Sequence, residues 1–249
     1  MEQDSGSPSA VAQPVREALL CWATVMLGLG ALALLGRALP VVGSLVGAAA
    51  VAAFLYAPTP LLERRGQDAH DAGWRFDRLK ADVLQALAVC ALVLPLFALG
   101  FAAFVAALPS LSPGLRSLLG PYTAGHALSL RLPSSGVAQL DLLGRIAGNA
   151  AVALSEEFFY RGYLTARLEE KWPPRTRILG AKLGGAAVLV AALFAVGHLL
   201  QPAPWRLFVF FPALLFAWLR ARTGTMIGAA ICHWICNVAL LLLELAAFA

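Results

Sequence analysis

Six polar residues stand inside long apolar runs: Glu156, Glu157, Arg161, His198, His233 and Asn237. An ionisable side chain near the middle of a spanning helix costs about 2.5–3.5 kcal/mol on insertion scales, so each of these needs a reason to be there. Glu157 and Arg161 are four residues apart with the acid first, the spacing of a same-helix ion pair. Glu156 points about 100° away from its neighbour around the helix and must find its partner on another element. The candidates are His198, which ends Phe194-Ala-Val-Gly-His198, and the pair His233 and Asn237, one turn apart on one face. Asn149, seven residues before Glu156, shares its face, with Arg145 one turn earlier. Asn149 and Tyr160 are candidates for lining a cavity beside the site. The other two histidines, His70 and His126, fall in loops and read as surface residues.

This set of groups permits hydrolysis in two ways. A carboxylate in a water-poor pocket acts as a general base on water, with an imidazole sharing the proton. A second imidazole and a carboxamide then donate hydrogen bonds to the oxyanion of a tetrahedral intermediate. Alternatively Glu156, His198 and His233 hold a divalent metal such as zinc, since two histidines and a carboxylate are a catalytic zinc set. Neither route needs a Ser or Cys nucleophile. Polar groups of this kind also hydrogen-bond membrane helices together at modest energies, about 0.6 kcal/mol each. That reading suits one buried histidine better than it suits four convergent groups.

The elements that must position these residues are membrane helices. Of the 249 residues 60% are hydrophobic and 13% charged, against about 25% charged in a soluble domain. Too little polar surface remains to coat a water-facing globule. Val83 to Leu108 carries no charge at all, and about 20 apolar residues span a bilayer as a helix. The expected fold is an all-α polytopic transmembrane bundle of about seven spans, near 18–37, 40–58, 82–108, 138–163, 183–201, 205–220 and 225–248. Pro40, Pro58, Pro109, Pro133, Pro173, Pro202 and Pro204 fall between them, where helix breakers belong. Residues 1–14 read as a disordered tail and 15–249 as a single transmembrane domain. Within the long Ser-, Pro- and Gly-rich loop 110–137, Leu115 to Leu119 can dip into the membrane interface.

The net charge of +5 comes from basic residues in short segments between apolar runs. That distribution fits membrane topology rather than a nucleic-acid groove, and no nucleic-acid partner is expected. Of the 19 Lys and Arg residues, 13 fall on one side of a seven-span arrangement and four on the other. The positive-inside rule then puts the N-terminus in the cytoplasm. The first apolar run is too long, and its flank too mixed, for a cleaved signal peptide, so it reads as a retained span. Cys21, Cys90, Cys232 and Cys236 all lie inside apolar runs, so no disulfide framework is indicated. Cys232 and Cys236 have metal-ligand spacing, although small apolar packing residues are the expected role.

Glu156-Glu157-Phe-Phe-Tyr-Arg161 resembles the Glu-Glu-x-x-x-Arg motif of the CPBP family. That family includes the Rce1-type CAAX prenyl endopeptidases and many bacterial Abi proteins. Phe194 to His198 resembles its Phe-x-x-x-His motif, and His233 to Asn237 its His-x-x-x-Asn motif. The run from Leu219 into His233 is similar as well, so the resemblance covers about residues 140–240. It implies an intramembrane endopeptidase in which Glu156 activates water with His198. It implies His233 and Asn237 as oxyanion stabilisers, or as ligands if a metal is present, with Glu157 and Arg161 holding the site in shape. The implied substrate is a membrane protein, or a protein anchored or lipidated at its C-terminus. The Ala-, Leu- and Arg-rich composition looks bacterial, which implies the inner membrane and a role like that of sorting peptidases such as the myxosortases. The rival readings are a scaffold or bacteriocin self-immunity protein of the same fold without catalysis, and a proton-coupled transporter. Transporters often carry paired repeats, and none is found in this sequence.

Overall fold

A computed structural model describes residues 8–119, 129, 135–201 and 203–248. Ten α-helices occur among them: α1 Pro8–Ala38, α2 Pro40–Tyr56, α3 Thr59–Glu63, α4 Leu79–Ala107, α5 Pro113–Leu118, α6 Gly136–Glu157, α7 Thr165–Lys171, α8 Gly185–Gly197, α9 Phe210–Thr223 and α10 Ile227–Phe248. A π-helical stretch, Phe158–Leu164, joins α6 to α7. The fold is all-α, apart from a small hairpin of β1 (Thr176–Ile178) and β2 (Ala181–Leu183). Its two-residue turn, Leu179-Gly180, has positive φ at both positions (46° and 83°), as the commonest tight hairpin turn requires. Helix α1 already covers Pro8 to Pro14, part of the expected tail, while residues 1–7 lie outside the described residues. His126 lies outside them too, and His70 is exposed in a turn.

Five helical stretches are long and apolar enough to cross a membrane: Gln13–Ala38, Pro40–Glu63, Leu79–Ser110, Pro204–Thr223 and Ile227–Phe248. The expected count of seven is therefore met only in part. The two remaining segments fall short for physical reasons. Helix α6 with its π extension carries Asp141, Arg145, Glu156, Glu157 and Arg161, so it is amphipathic rather than uniformly apolar. The other, Gly185–Leu200, is apolar but short. These two segments bear Glu156, Glu157 and His198. The interfacial segment expected at 115–119 coincides with the short helix α5, whose first turn is capped by Ser112 Oγ accepting from Leu115 N at 3.4 Å.

Helix α10 is the hub. It packs against α4, α6 and α9, while α9 also packs on α8, and α2 closes on α6. The start of α10 is anchored by loop 64–78. Met226 N donates to Gly73 O at 3.0 Å, and a side chain at Gly73 (φ 94°) would be both strained and crowded. Arg78 and Arg75 donate to the last carbonyls of α9, at Thr223 (2.9 Å) and Gly224 (2.7 Å). Gly224 itself is left-handed (φ 79°), a common helix stop. The same end of the bundle carries a charged lattice in which Arg65 pairs with Glu17 and Glu170, and Arg220 with Glu169. Trp234 Nε1 donates to Ile146 O at 3.0 Å, which fixes α10 against α6 beside the polar groups.

Candidate active site

The last turn of α6 delivers Glu156 and Glu157 to different surroundings, as their 100° separation requires. The Glu157 side chain has no solvent exposure, whereas that of Glu156 keeps 13%. Arg161 Nη1 donates to Glu157 Oε1 at 2.9 Å, and Arg161 Nη2 donates to the Ala213 carbonyl of α9 at 2.8 Å. The π-helical stretch carries Arg161 inside it, and such insertions often sit at functional sites. Thr165 donates to the Tyr160 carbonyl twice, through its backbone N–H and through Oγ1 at 2.8 Å, closing the widened turn. Gly162 lets this stretch touch the 69–74 turn, since a Cβ there would lie 2.8 Å from the Ala72 carbonyl oxygen.

His233 joins the two glutamates. Its Nδ1 lies 2.9 Å from Glu157 Oε1, and its Nε2 faces Glu156 Oε2 at 3.6 Å. Glu157 Oε1 accepts from a guanidinium and is an acceptor only while ionised, so the ring nitrogen beside it must be the N–H donor. That orients the imidazole and aims Nε2 at the more open carboxylate. The 3.6 Å gap is beyond direct hydrogen-bond range and small enough for one water to touch both atoms.

Aromatic rings seal the buried side of this line. The His233 ring stacks on Phe216 (4.6 Å between centroids, 18°) and meets Phe194 edge-on at 5.7 Å. The Arg161 guanidinium lies over the same two rings, 4.7 Å from Phe194 and 5.4 Å from Phe216, a stabilising placement for a desolvated cation. His198 packs against Phe194 at 4.5 Å, with its Nδ1 2.8 Å from the Phe194 carbonyl. Phe194 thus has both histidines against it.

Glu156, Glu157, Arg161 and His233 are therefore linked directly, and His198 joins them through Phe194. Asn237, one turn beyond His233, and Asn149, two turns before Glu156, are both half-buried, and neither side chain hydrogen-bonds within the described residues. Tyr160 differs from the expectation of a cavity lining. It is 2% exposed and packs in the core against Phe54, Phe159 and Phe194, with room for its hydroxyl beside Gly197. Phe216 and the Ala213 carbonyl complete the site without any sequence signal, since one is an ordinary core aromatic and the other is backbone.

The donor types of Glu156, His198 and His233 are those zinc accepts. As placed, however, the three do not offer one ligand atom each within 4.8 Å of one another, a closeness that other side chains of this chain do reach.

Residues 138–239 match the family model described as "Type II CAAX prenyl endopeptidase Rce1-like". The matched segment holds every polar group of the site and leaves out α1 to α5. No curated protein and no solved structure matches the chain in the same comparisons. The family is one of membrane proteases acting on membrane-anchored substrates. Over residues 138–239, then, the chain is similar to the Rce1-like CAAX endopeptidases.

Proposed function

We propose that the chain hydrolyses a peptide bond near the membrane-embedded C-terminal part of a protein substrate, in a bacterial inner membrane with its N-terminus in the cytoplasm. The observation that carries this reading is the opposition of Glu156 Oε2 and His233 Nε2 at 3.6 Å, with His233 held from behind by Glu157. Two carboxylates, one guanidinium and one imidazole reach zero net charge when one proton sits on either Nε2 or Oε2. A water-poor site favours that balance, because unpaired charge is costly there.

Glu156 acts as the general base. It takes a proton from a water that His198 helps to position, as the water oxygen bonds to the scissile carbonyl carbon. The oxyanion accepts hydrogen bonds from the Asn237 carboxamide and from Nε2–H of protonated His233. When the C–N bond breaks, the proton on Glu156 passes to the departing amine. Glu157 and Arg161 are positioning residues, since they act through His233. These steps use the chain's own residues; Glu156, His198 and His233 are the set that would hold a divalent metal.

The test is a comparison of protein termini in the host. Cells lacking the gene are complemented with wild type or Glu156→Gln, and their membrane and secreted proteins are profiled by mass spectrometry. The proposal expects specific C-terminal segments to persist with Glu156→Gln and to vanish with wild type. Equal complementation with no changed terminus would instead support a scaffold without catalysis.

A further inference from the structure

On the side of α10 turned to α4, three thiols converge. The Sγ atoms of Cys90 on α4 and of Cys232 and Cys236 on α10 all lie within 4.8 Å of one another. Cys90 Sγ and Cys232 Sγ are 3.5 Å apart. Cys90 is 4% exposed and Cys232 fully buried, with Cys236 half-buried, inside a cluster walled by Ala86, Phe216, Leu219 and Ala229. Filling this space asks only for small apolar volume, which alanine supplies. Three of the chain's four cysteines, from two helices far apart in sequence, are aimed at one point.

We propose that Cys90, Cys232 and Cys236 bind a thiophilic d¹⁰ cation, with Cu⁺ as the preferred ion. Soft sulfur donors select Cu⁺ and Zn²⁺ over harder cations. A structural zinc site takes four protein ligands, whereas this group offers three. An ion in a trigonal plane about 2.3 Å from each sulfur sets the sulfurs about 4.0 Å apart. That lies between the 3.5 Å closest pair and the 4.8 Å limit of the cluster. Each thiol that binds as thiolate gives its proton to water, so uptake releases protons. The bound ion ties α4 to α10, the helix that presents His233 and Asn237 about 100° around from the thiols.

The full-length chain, reduced and reconstituted in lipid nanodiscs, is titrated with Cu⁺ in competition with a chromophoric Cu⁺ chelator, and the loaded protein is examined by X-ray absorption. The expected result is one equivalent per chain with a first shell of three sulfurs. Affinity should fall at least tenfold in each of Cys90→Ser, Cys232→Ser and Cys236→Ser, and hold in Cys21→Ser. Wild-type uptake without a sulfur-only shell, or equal uptake by Cys90→Ser, overturns the proposal. The absorption measurement uses wild type alone, so it decides the matter even if a serine variant fails to fold.

Discussion

Replacing Arg161 by leucine tests the buried side of the site most severely. The change removes the 2.9 Å bond to Glu157, the 2.8 Å bond to the Ala213 carbonyl and the guanidinium resting on Phe194 and Phe216. It leaves the Glu157 carboxylate, fully enclosed, with His233 as its one remaining partner, because its second oxygen already has none among the described residues. Breaking a buried pair by deleting one partner costs about 3–5 kcal/mol, mostly through the stranded charge. For a chain of this size that lowers Tm by about 6–20 °C. The double variant Arg161→Leu/Glu157→Leu removes the stranded charge, so it should recover more than half of the loss. It should still be inactive, because His233 then has nothing behind Nδ1. Thermal unfolding in detergent micelles, followed by circular dichroism, reads both. A loss below about 1 kcal/mol for Arg161→Leu, the range of exposed pairs, would mean that the guanidinium is not desolvated and that the reasoning is wrong.

His198→Ala and His233→Ala should separate binding of the water from the architecture of the site. Both abolish cleavage, but His198 bonds only within its own turn and should leave Tm nearly unchanged. His233→Ala removes one of the two partners of buried Glu157 Oε1, leaving Arg161, and should cost about 1–3 kcal/mol. Gly162→Ala should destabilise by about 1–3 kcal/mol, as overpacking does, since its Cβ meets a backbone oxygen at 2.8 Å and no side chain there can give way. Limited proteolysis near Ala72 should then increase, and an unchanged Tm would contradict the close approach. Exhaustive treatment with a metal chelator should leave proteolysis intact, and loss restored specifically by zinc would return the ion to the mechanism.

Much of the site was legible because helix periodicity is local. The four-residue step from Glu157 to Arg161 announced an ion pair, and the 2.9 Å contact is that pair. The separate fate of Glu156 followed from the same angle and agrees with its greater exposure. What periodicity does not encode is which neighbouring helix a face meets. His233 was expected to serve Glu156, yet its closer contact is with Glu157. Phe216 and Ala213 sit on α9, whose approach is set by packing, and the π stretch has no local signature in Phe-Phe-Tyr-Arg-Gly-Tyr-Leu. Cys90 looked like any small residue of an apolar run until α4 was laid beside α10. The span count was the least secure element, because amphipathic α6 and short α8 carry weak hydropathy signals for the very reason that they carry the polar groups.

Adjacent glutamates divide the labour at this site, and one paired measurement reaches that division directly. A substrate named by the terminus profiles is incubated with purified wild type, Glu156→Gln and Glu157→Gln, and Tm is recorded for each. Glu156→Gln should lose about 10²–10⁴-fold in cleavage rate, the usual contribution of a general base, with Tm within a few degrees of wild type. Glu157→Gln should lose both rate and stability. Cleavage by a folded Glu156→Gln within tenfold of the wild-type rate would contradict the assignment of Glu156 as the base.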